Sequence, residues 1–201
     1  MHGARSSVEL NLFKTSVTEA GILALWEANP AWSVRYSAGK DDENILPSMK
    51  ELPQIEELTF RGSLTSDATL ASLVLRPLQN LKSLSVIGAP ITDESLGALA
   101  GLTKPQFLGL TGTKIEGPGL GSLSRVRTLV SDVADRGVAE IAKLTDLEEL
   151  WLVNPRISDE GIEDLAKMNS LRRLYFLNTS VSDSGVSRLQ QDLPNCNIFT
   201  E

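Results

Sequence analysis

Pairs of apolar residues two positions apart recur along the chain at a nearly fixed spacing. Seven pairs are well formed: Leu10/Leu12, Val34/Tyr36, Leu58/Phe60, Leu84/Val86, Leu108/Leu110, Leu150/Leu152 and Leu174/Phe176. An eighth pair, Val126/Thr128, is weaker. Five of the seven steps between consecutive pairs are 24 residues, one is 26, and the step from Leu108 to Val126 is 18. A repeat of this length predicts a solenoid, in which one short structural unit is copied end to end.

Each copy predicts a short strand followed by a short helix. The apolar pair has the two-residue period of a strand with one apolar face, and the segment after it has the three-to-four spacing of a helix. Since one such unit cannot bury its apolar face alone, stacked neighbours must supply the core. Small glycines at one equivalent position would let adjacent coils approach closely. These glycines are Gly21, Gly119, Gly137, Gly161 and Gly185.

Hydroxyl and acidic residues mark the predicted helix starts. Thr18, Thr92, Ser158 and Ser182 precede the helices and are expected to cap them. The neighbouring Asp93, Asp159 and Asp183 suit the positive end of the helix dipole. We interpret these three aspartates as helix-start residues rather than as metal ligands or catalytic acids.

The clearest copies begin at Leu78, Leu144 and Met168 and share the pattern L-x-x-L-x-L followed by I/V-S/T-D-x-G/S. This pattern resembles the leucine-rich repeat family, and most closely the bacterial, planctomycete-type variant whose repeats read ITDxGL. The closing LPNCNI, residues 193–198, is similar to the ending common in that variant. The resemblance covers about residues 7 to 198. It implies an α/β leucine-rich repeat solenoid, with a curved parallel sheet on the concave side and short helices on the convex side.

The resemblance further implies one domain over residues 1–201, with about eight repeats and a short C-terminal cap near 190–201. Three departures from the pattern are expected to disturb the stack. The 18-residue step through GPGLGSLSR leaves room for barely one helical turn, Pro47 falls inside an expected helix, and the third repeat has Ser63 and Leu64 out of phase.

Composition and charge argue against several classes of function and location. A net charge of −7 argues against nonspecific nucleic-acid binding, and no apolar run approaches the length of a membrane span. The N-terminal segment holds no apolar stretch of the secretory type. The single cysteine, Cys196, fits a reducing compartment and is expected to be a buried thiol in the terminal cap. We therefore expect a cytoplasmic protein.

Catalysis has little basis in this sequence. The single histidine, His2, stands near the start of the chain, and no Ser/His/Asp or Cys/His arrangement can be assembled without it. No glycine-rich phosphate loop is present, because GPGLG, residues 117–121, follows the repeat pattern instead. We expect no enzymatic activity, no cofactor and no metal.

The variable positions beside the core leucines are the candidates for function. In the last three repeats they place Trp151, Tyr175, Val153, Leu177 and Leu129 in one apolar and aromatic patch, with Arg125, Arg127, Arg173 and Glu149 at its rim. Aromatic residues with arginine often carry binding energy at protein interfaces. An alternative is that Trp151 and Tyr175 merely stack on their neighbours along the sheet. A strand register shifted by one residue would remove the patch.

These observations favour a non-catalytic module that binds a protein or peptide partner on its concave face. Two alternatives remain open at this stage. One is a structural or assembly subunit that self-associates through an exposed N-terminal strand edge around Val8 to Leu12, which would make it a homo-oligomer. The other is a regulatory fragment of a larger multidomain protein.

Overall fold

The computed structural model describes residues 7–10, 33–38, 55–62, 65–74, 81–102, 105–154 and 156–201. Within them, nine parallel strands form one sheet, and their spatial order is their order in the chain. The strands are β1 (Ser7–Leu10), β2 (Ser33–Ala38), β3 (Ile55–Arg61), β4 (Ser83–Ile87), β5 (Phe107–Thr111), β6 (Thr128–Ser131), β7 (Glu149–Val153), β8 (Arg173–Leu177) and β9 (Asn197–Thr200). Each coil of the chain therefore adds one strand to the same sheet.

Short helical segments connect the strands on one side of the sheet. The α-helices are α1 (Asp67–Val74), α2 (Glu94–Ala100), α3 (Asp135–Ile141) and α4 (Asp183–Asp192), and the 3-10 turns are Leu120–Ser122 and Glu163–Lys167. We call the opposite side of the sheet, which these segments leave uncovered, the open face. It corresponds to the concave side of the solenoid expected from the sequence.

The core lies between the sheet and the helical segments. In β7, Leu150 and Leu152 are fully buried, while their neighbours Glu149, Trp151 and Val153 are only partly buried. The same two-residue alternation recurs in β4, β6 and β8, as expected for strands with one apolar face. Burying each leucine contributes roughly 1.5–3 kcal/mol. The core pairs expected in the third, fourth, fifth, seventh and eighth copies are thereby confirmed.

The sixth copy corrects the sequence analysis. Leu129 pairs with Leu108 on one side and with Leu150 on the other, so Leu129 and Ser131 hold the core positions of the strand. Val126 is buried in the core just before the strand, and Thr128 is only partly buried. Leu129 lies 21 residues after Leu108 and 21 before Leu150, which replaces the expected steps of 18 and 24. The convex segment of the fifth coil is nevertheless reduced to the three-residue 3-10 turn, as the short GPGLGSLSR suggested.

Aspartates at the start of one convex segment accept hydrogen bonds from the next coil. The pairs are Asp67 with Thr92, Asp135 with Ser158, and Asp159 with Ser182. In the last pair, Asp159 accepts from the Ser182 backbone N–H at 2.7 Å and from its hydroxyl at 2.6 Å. Hydrogen bonds to a charged group are shorter and stronger than those between neutral groups. These side chains therefore join consecutive coils on the convex side.

This arrangement revises the interpretation of the helix starts. Ser182 caps α4 as expected, since its hydroxyl accepts the Gly185 N–H. Asp93 and Asp159, however, direct their carboxylates to the following coil rather than to their own helix. Two of the glycines at the equivalent position, Gly161 and Gly185, follow from this contact, because a Cβ at Gly185 would lie 2.3 Å from the Asp159 carboxylate and one at Gly161 would collide with that of Asp135.

Changing Asp159 to asparagine is expected to make the stability of the protein less dependent on acid pH. Hydrogen bonds from Ser182 hold the pKa of Asp159 below its ordinary value. An aspartate of lowered pKa stabilises the fold above its unfolded pKa of about 3.9, and this contribution disappears as the pH falls through the folded value. We expect Asp159→Asn to be less stable than wild type at pH 7, and the difference to shrink as the pH is lowered below about 3.9, in urea unfolding across this range.

Asp183 provides the matched control for this prediction. It occupies the equivalent position of the next coil, but its exposed carboxylate makes no such inter-coil hydrogen bond within the described residues. Asp183→Asn breaks no such contact and should cost less stability at pH 7 than Asp159→Asn. Equal behaviour of the two variants would contradict a role for the Asp159–Ser182 contact.

The C-terminal segment closes the core with a turn and a strand. Gln190 of α4 donates hydrogen bonds to the carbonyl oxygens of Leu193 and Cys196, which hold the LPNC turn against the helix. Cys196 is buried, as expected, and burial raises the pKa of its thiol. The expectations for Thr18, Gly21, Pro47, Ser63 and Leu64, as well as Leu12, fall outside the described residues.

Candidate functional site

The open face is organised in rows that run across the strands. The parallel register places Gly109, Val130, Trp151, Tyr175 and Phe199 side by side in five successive strands. We call these five residues the middle row. Because they alternate with the core residues of their strands, their side chains project from the open face.

Three aromatic rings stack along the middle row. The Trp151 and Tyr175 ring centroids are 3.8 Å apart with an interplanar angle of 16°, and those of Tyr175 and Phe199 are 4.6 Å apart at 11°. The stacking that the sequence analysis gave as an alternative is therefore present. Trp151 and Tyr175 nonetheless remain partly exposed. Phe199, at 45% exposure, is the one large hydrophobic residue of the described part of the chain that stands clearly exposed.

Phe199 was missed by the sequence analysis. It belongs to β9, where Ile198 pairs with Leu174 and Phe199 with Tyr175. The residues after LPNC alternate as in the earlier strands, and this alternation was the sequence signal for one more strand. The aromatic surface thus reaches one strand beyond the expected patch.

Leu129 does not belong to this surface. It is 0% exposed and packs in the core, which corrects its expected place in the patch. The reason is the three-residue difference in the register of β6: because this is an odd number, Val130 rather than Leu129 faces the open side. Val153 and Leu177 lie where the sequence analysis put them, paired side by side and partly exposed.

Glu149 connects two of the expected site residues. Its Oε1 accepts the Trp151 indole N–H at 2.7 Å, and its Oε2 accepts the Arg173 Nε–H at 2.8 Å. The Arg173 Nη2 group donates to the same Oε2 atom. These contacts raise the pKa of Arg173. Glu149 and Arg173 therefore form an ion pair with each other and do not present separate charges at the rim of the patch.

A second ion pair lies one position before the strands. Arg127 donates to Glu148, and both side chains are about half exposed. Because the β6 register differs from the expected one, Arg127 lies beside Glu148 rather than beside Trp151. Arg125 is exposed in the preceding turn. An exposed pair of this kind contributes about 0–1 kcal/mol.

In β3 and β4 the continuation of the middle row is polar. The positions that continue the middle row toward β3 are Ser85 and Thr59, and the row beside them holds Ser83 and Glu57. At the boundary, Gly109 has no side chain, and the Ser85 hydroxyl closes over the space. The stacked aromatic rings thus lie on β7 to β9, while Phe107 of β5 and Ile87 of β4 add smaller, partly exposed apolar areas to the same face.

The described residues hold few groups that could support catalysis or bind a metal ion. They contain no group of three His, Cys, Asp or Glu side chains that could hold a metal ion. On the convex side, a groove of about 260 Å³ lies between the Glu163–Lys167 turn and α4, with Ile162 and Leu189 among its apolar lining residues and Arg188 among its charged ones. No helix in the described ranges is long and apolar enough to cross a membrane.

Solved structures share this architecture at low sequence identity. An internalin from Listeria monocytogenes matches with a TM-score of 0.57 and 18% identity, over 83% of this chain and 45% of its own. A leucine-rich repeat protein from Leptospira interrogans matches with a TM-score of 0.52 and 18% identity, over 95% of this chain and 59% of its own. No family model and no curated protein matches the sequence.

These structural matches and the nine-stranded parallel sheet show an α/β leucine-rich repeat solenoid, as the sequence analysis predicted. The chain spans about half the length of the two matched structures. The closer likeness to the planctomycete-type variant and the extent of the domain stay predictions.

Proposed function

We propose that this protein is a non-catalytic interaction module that binds a protein or peptide partner on its open face. The site is centred on Trp151 and Tyr175 and includes Phe199, with Val130, Val153 and Leu177 around them. The observation that supports the proposal is the stack of three aromatic rings. These rings stay partly exposed, although smaller residues occupy the equivalent positions of β4 and β5. Contiguous exposed apolar surface of this kind marks contact sites in proteins.

Rigid presentation would be the source of affinity. The rings belong to adjacent hydrogen-bonded strands and contact one another, so little side-chain freedom is left to lose when a partner binds. Aromatic residues are also the type that most often dominates binding energy. The partner is thus expected to cover β7 to β9 rather than the polar positions of β3 and β4.

The second candidate is self-association through β1. This strand is the first in the order of the sheet and has β2 as its one neighbour among the described strands. A strand edge of this kind can pair with another chain. In this case the protein would act as an assembly subunit, and the aromatic surface would not be required.

Capture from native lysate, followed by mass spectrometry, separates the two candidates. We expect wild type to retain a partner that the Trp151→Ala/Tyr175→Ala variant loses, because both rings would contact it. Far-UV circular dichroism should show the fold intact in the variant, since both residues lie outside the core. Recovery of the same partners by both proteins, or of this chain alone, would favour the β1 edge instead.

A further inference from the structure

Glu149 is held differently from its neighbour Glu148. Its side chain is 15% exposed, whereas that of Glu148, the next residue toward the N-terminus, is 48% exposed. Both of its oxygen atoms accept hydrogen bonds, one from its own strand and one from the next strand. A sheltered carboxylate with this set of donors is worth more than a surface ion pair.

The two hydrogen-bond donors lie at the ends of side chains that could otherwise rotate. The indole of Trp151 can rotate about its side-chain bonds, and its N–H is left without an acceptor in other orientations unless water supplies one. The guanidinium of Arg173 sits on a long flexible stem. Glu149 fixes both at once, so that the indole faces Tyr175 and the guanidinium stays at the edge of the aromatic row.

We infer that Glu149 is the positioning residue of the open-face site, holding Trp151 and Arg173 in one preformed surface. The inference rests on the proposed function for its biological meaning, but it concerns the free protein. The row beside the aromatic rings on this side consists of Thr128, Glu149, Arg173 and Asn197. Since the Glu149 and Arg173 charges neutralise each other, this row carries no unpaired charge from β6 to β9. A partner charge placed there would lose water without gaining a counter-charge. The segment that fits this surface is therefore apolar at its centre.

Nuclear magnetic resonance of the side-chain N–H groups tests this role without a partner. The Trp151 indole and Arg173 Nε signals are assigned with Trp151→Phe and Arg173→Lys. In Glu149→Ala, we expect the indole proton to exchange with water at least about tenfold faster, as for loss of a hydrogen bond to a charged group. The Arg173 Nε signal should broaden or disappear in the same variant.

Two further variants make the test specific. Glu149→Gln keeps an oxygen that can accept the indole N–H but loses the charge, so it should restore the indole protection and not the Arg173 signal. Glu148→Ala removes the neighbouring exposed carboxylate and should leave both signals as in wild type. Urea unfolding of each variant, measured in parallel, should show that the protein is fully folded without urea, so that the signals report a local change.

Unchanged indole and Arg173 signals in Glu149→Ala, or an equal change in Glu148→Ala, would overturn the inference. This outcome is distinct from failure of the proposed function. If no partner depends on Trp151 and Tyr175, the signals of the free protein still report whether Glu149 positions them.

Discussion

Replacement of Gly117 by alanine is expected to lower the free energy of unfolding by about 3 kcal/mol or more. Gly117 has a φ of 129°, which an L side chain rarely adopts. A Cβ at this position would also lie 2.4 Å from the Gly137 Cα of the next coil. Because the obstacle is backbone, no side chain can turn away to relieve the contact. Chemical unfolding in urea measures the loss.

Gly97 is the matched control for this change. It lies within α2, and a Cβ built there meets nothing within 4 Å. Alanine in a helix interior is favoured over glycine by about 0.5–1 kcal/mol, so Gly97→Ala should be neutral or stabilising. Similar free energies of unfolding for the two variants would contradict the close contact between Gly117 and Gly137.

Replacement of Leu129 by alanine is expected to cost about 3 kcal/mol, within the usual range of about 2–5 kcal/mol for a buried leucine. Leu129 is fully buried between Leu108 and Leu150. Val130, the next residue, faces the open side and is partly exposed. We expect Val130→Ala to cost less than about 1 kcal/mol, again from urea unfolding.

The comparison of these two variants tests the register of β6. If Val130→Ala were the costly change and Leu129→Ala the mild one, the strand would face the other way. Leu129 would then belong to the aromatic surface, as the sequence pattern alone suggested. If Leu129→Ala is the costlier change, the result supports the pairing of Leu129 with Leu108 and Leu150, each 21 residues away.

The periodicity was sufficient for most of the fold because the core leucines obey it. Leu150/Leu152 and Leu174/Phe176, for example, lie in the core as their spacing predicted. The sixth copy failed because its second core position is Ser131, whose buried hydroxyl has no hydrogen-bond partner within the described residues. With serine in place of an apolar residue, the nearby Val126 and Thr128 fitted the 24-residue spacing better than the true pair.

The candidate site was predicted less completely than the fold. Trp151 and Tyr175 followed from alternation alone, since they lie between core residues of well-matched repeats. The contacts of Glu149 did not, because a hydrogen bond between neighbouring strands depends on side-chain conformation, which periodicity does not determine. The inter-coil contact of Asp159 with Ser182 escaped for the same reason, although both residues had been singled out.

The dissociation constant of a purified partner, recovered by capture, tests the central claim most directly. It should be measured for wild type, for Trp151→Ala/Tyr175→Ala, and for Thr59→Ala/Ser85→Ala at the polar positions of β3 and β4. We expect the aromatic variant to bind at least about 100-fold more weakly, since two hot-spot residues contribute about 2 kcal/mol each and about 1.4 kcal/mol is tenfold. The polar variant should bind within about threefold of wild type, as changes outside a hot spot usually do. Equal affinity of the aromatic variant and wild type would contradict recognition through the open face.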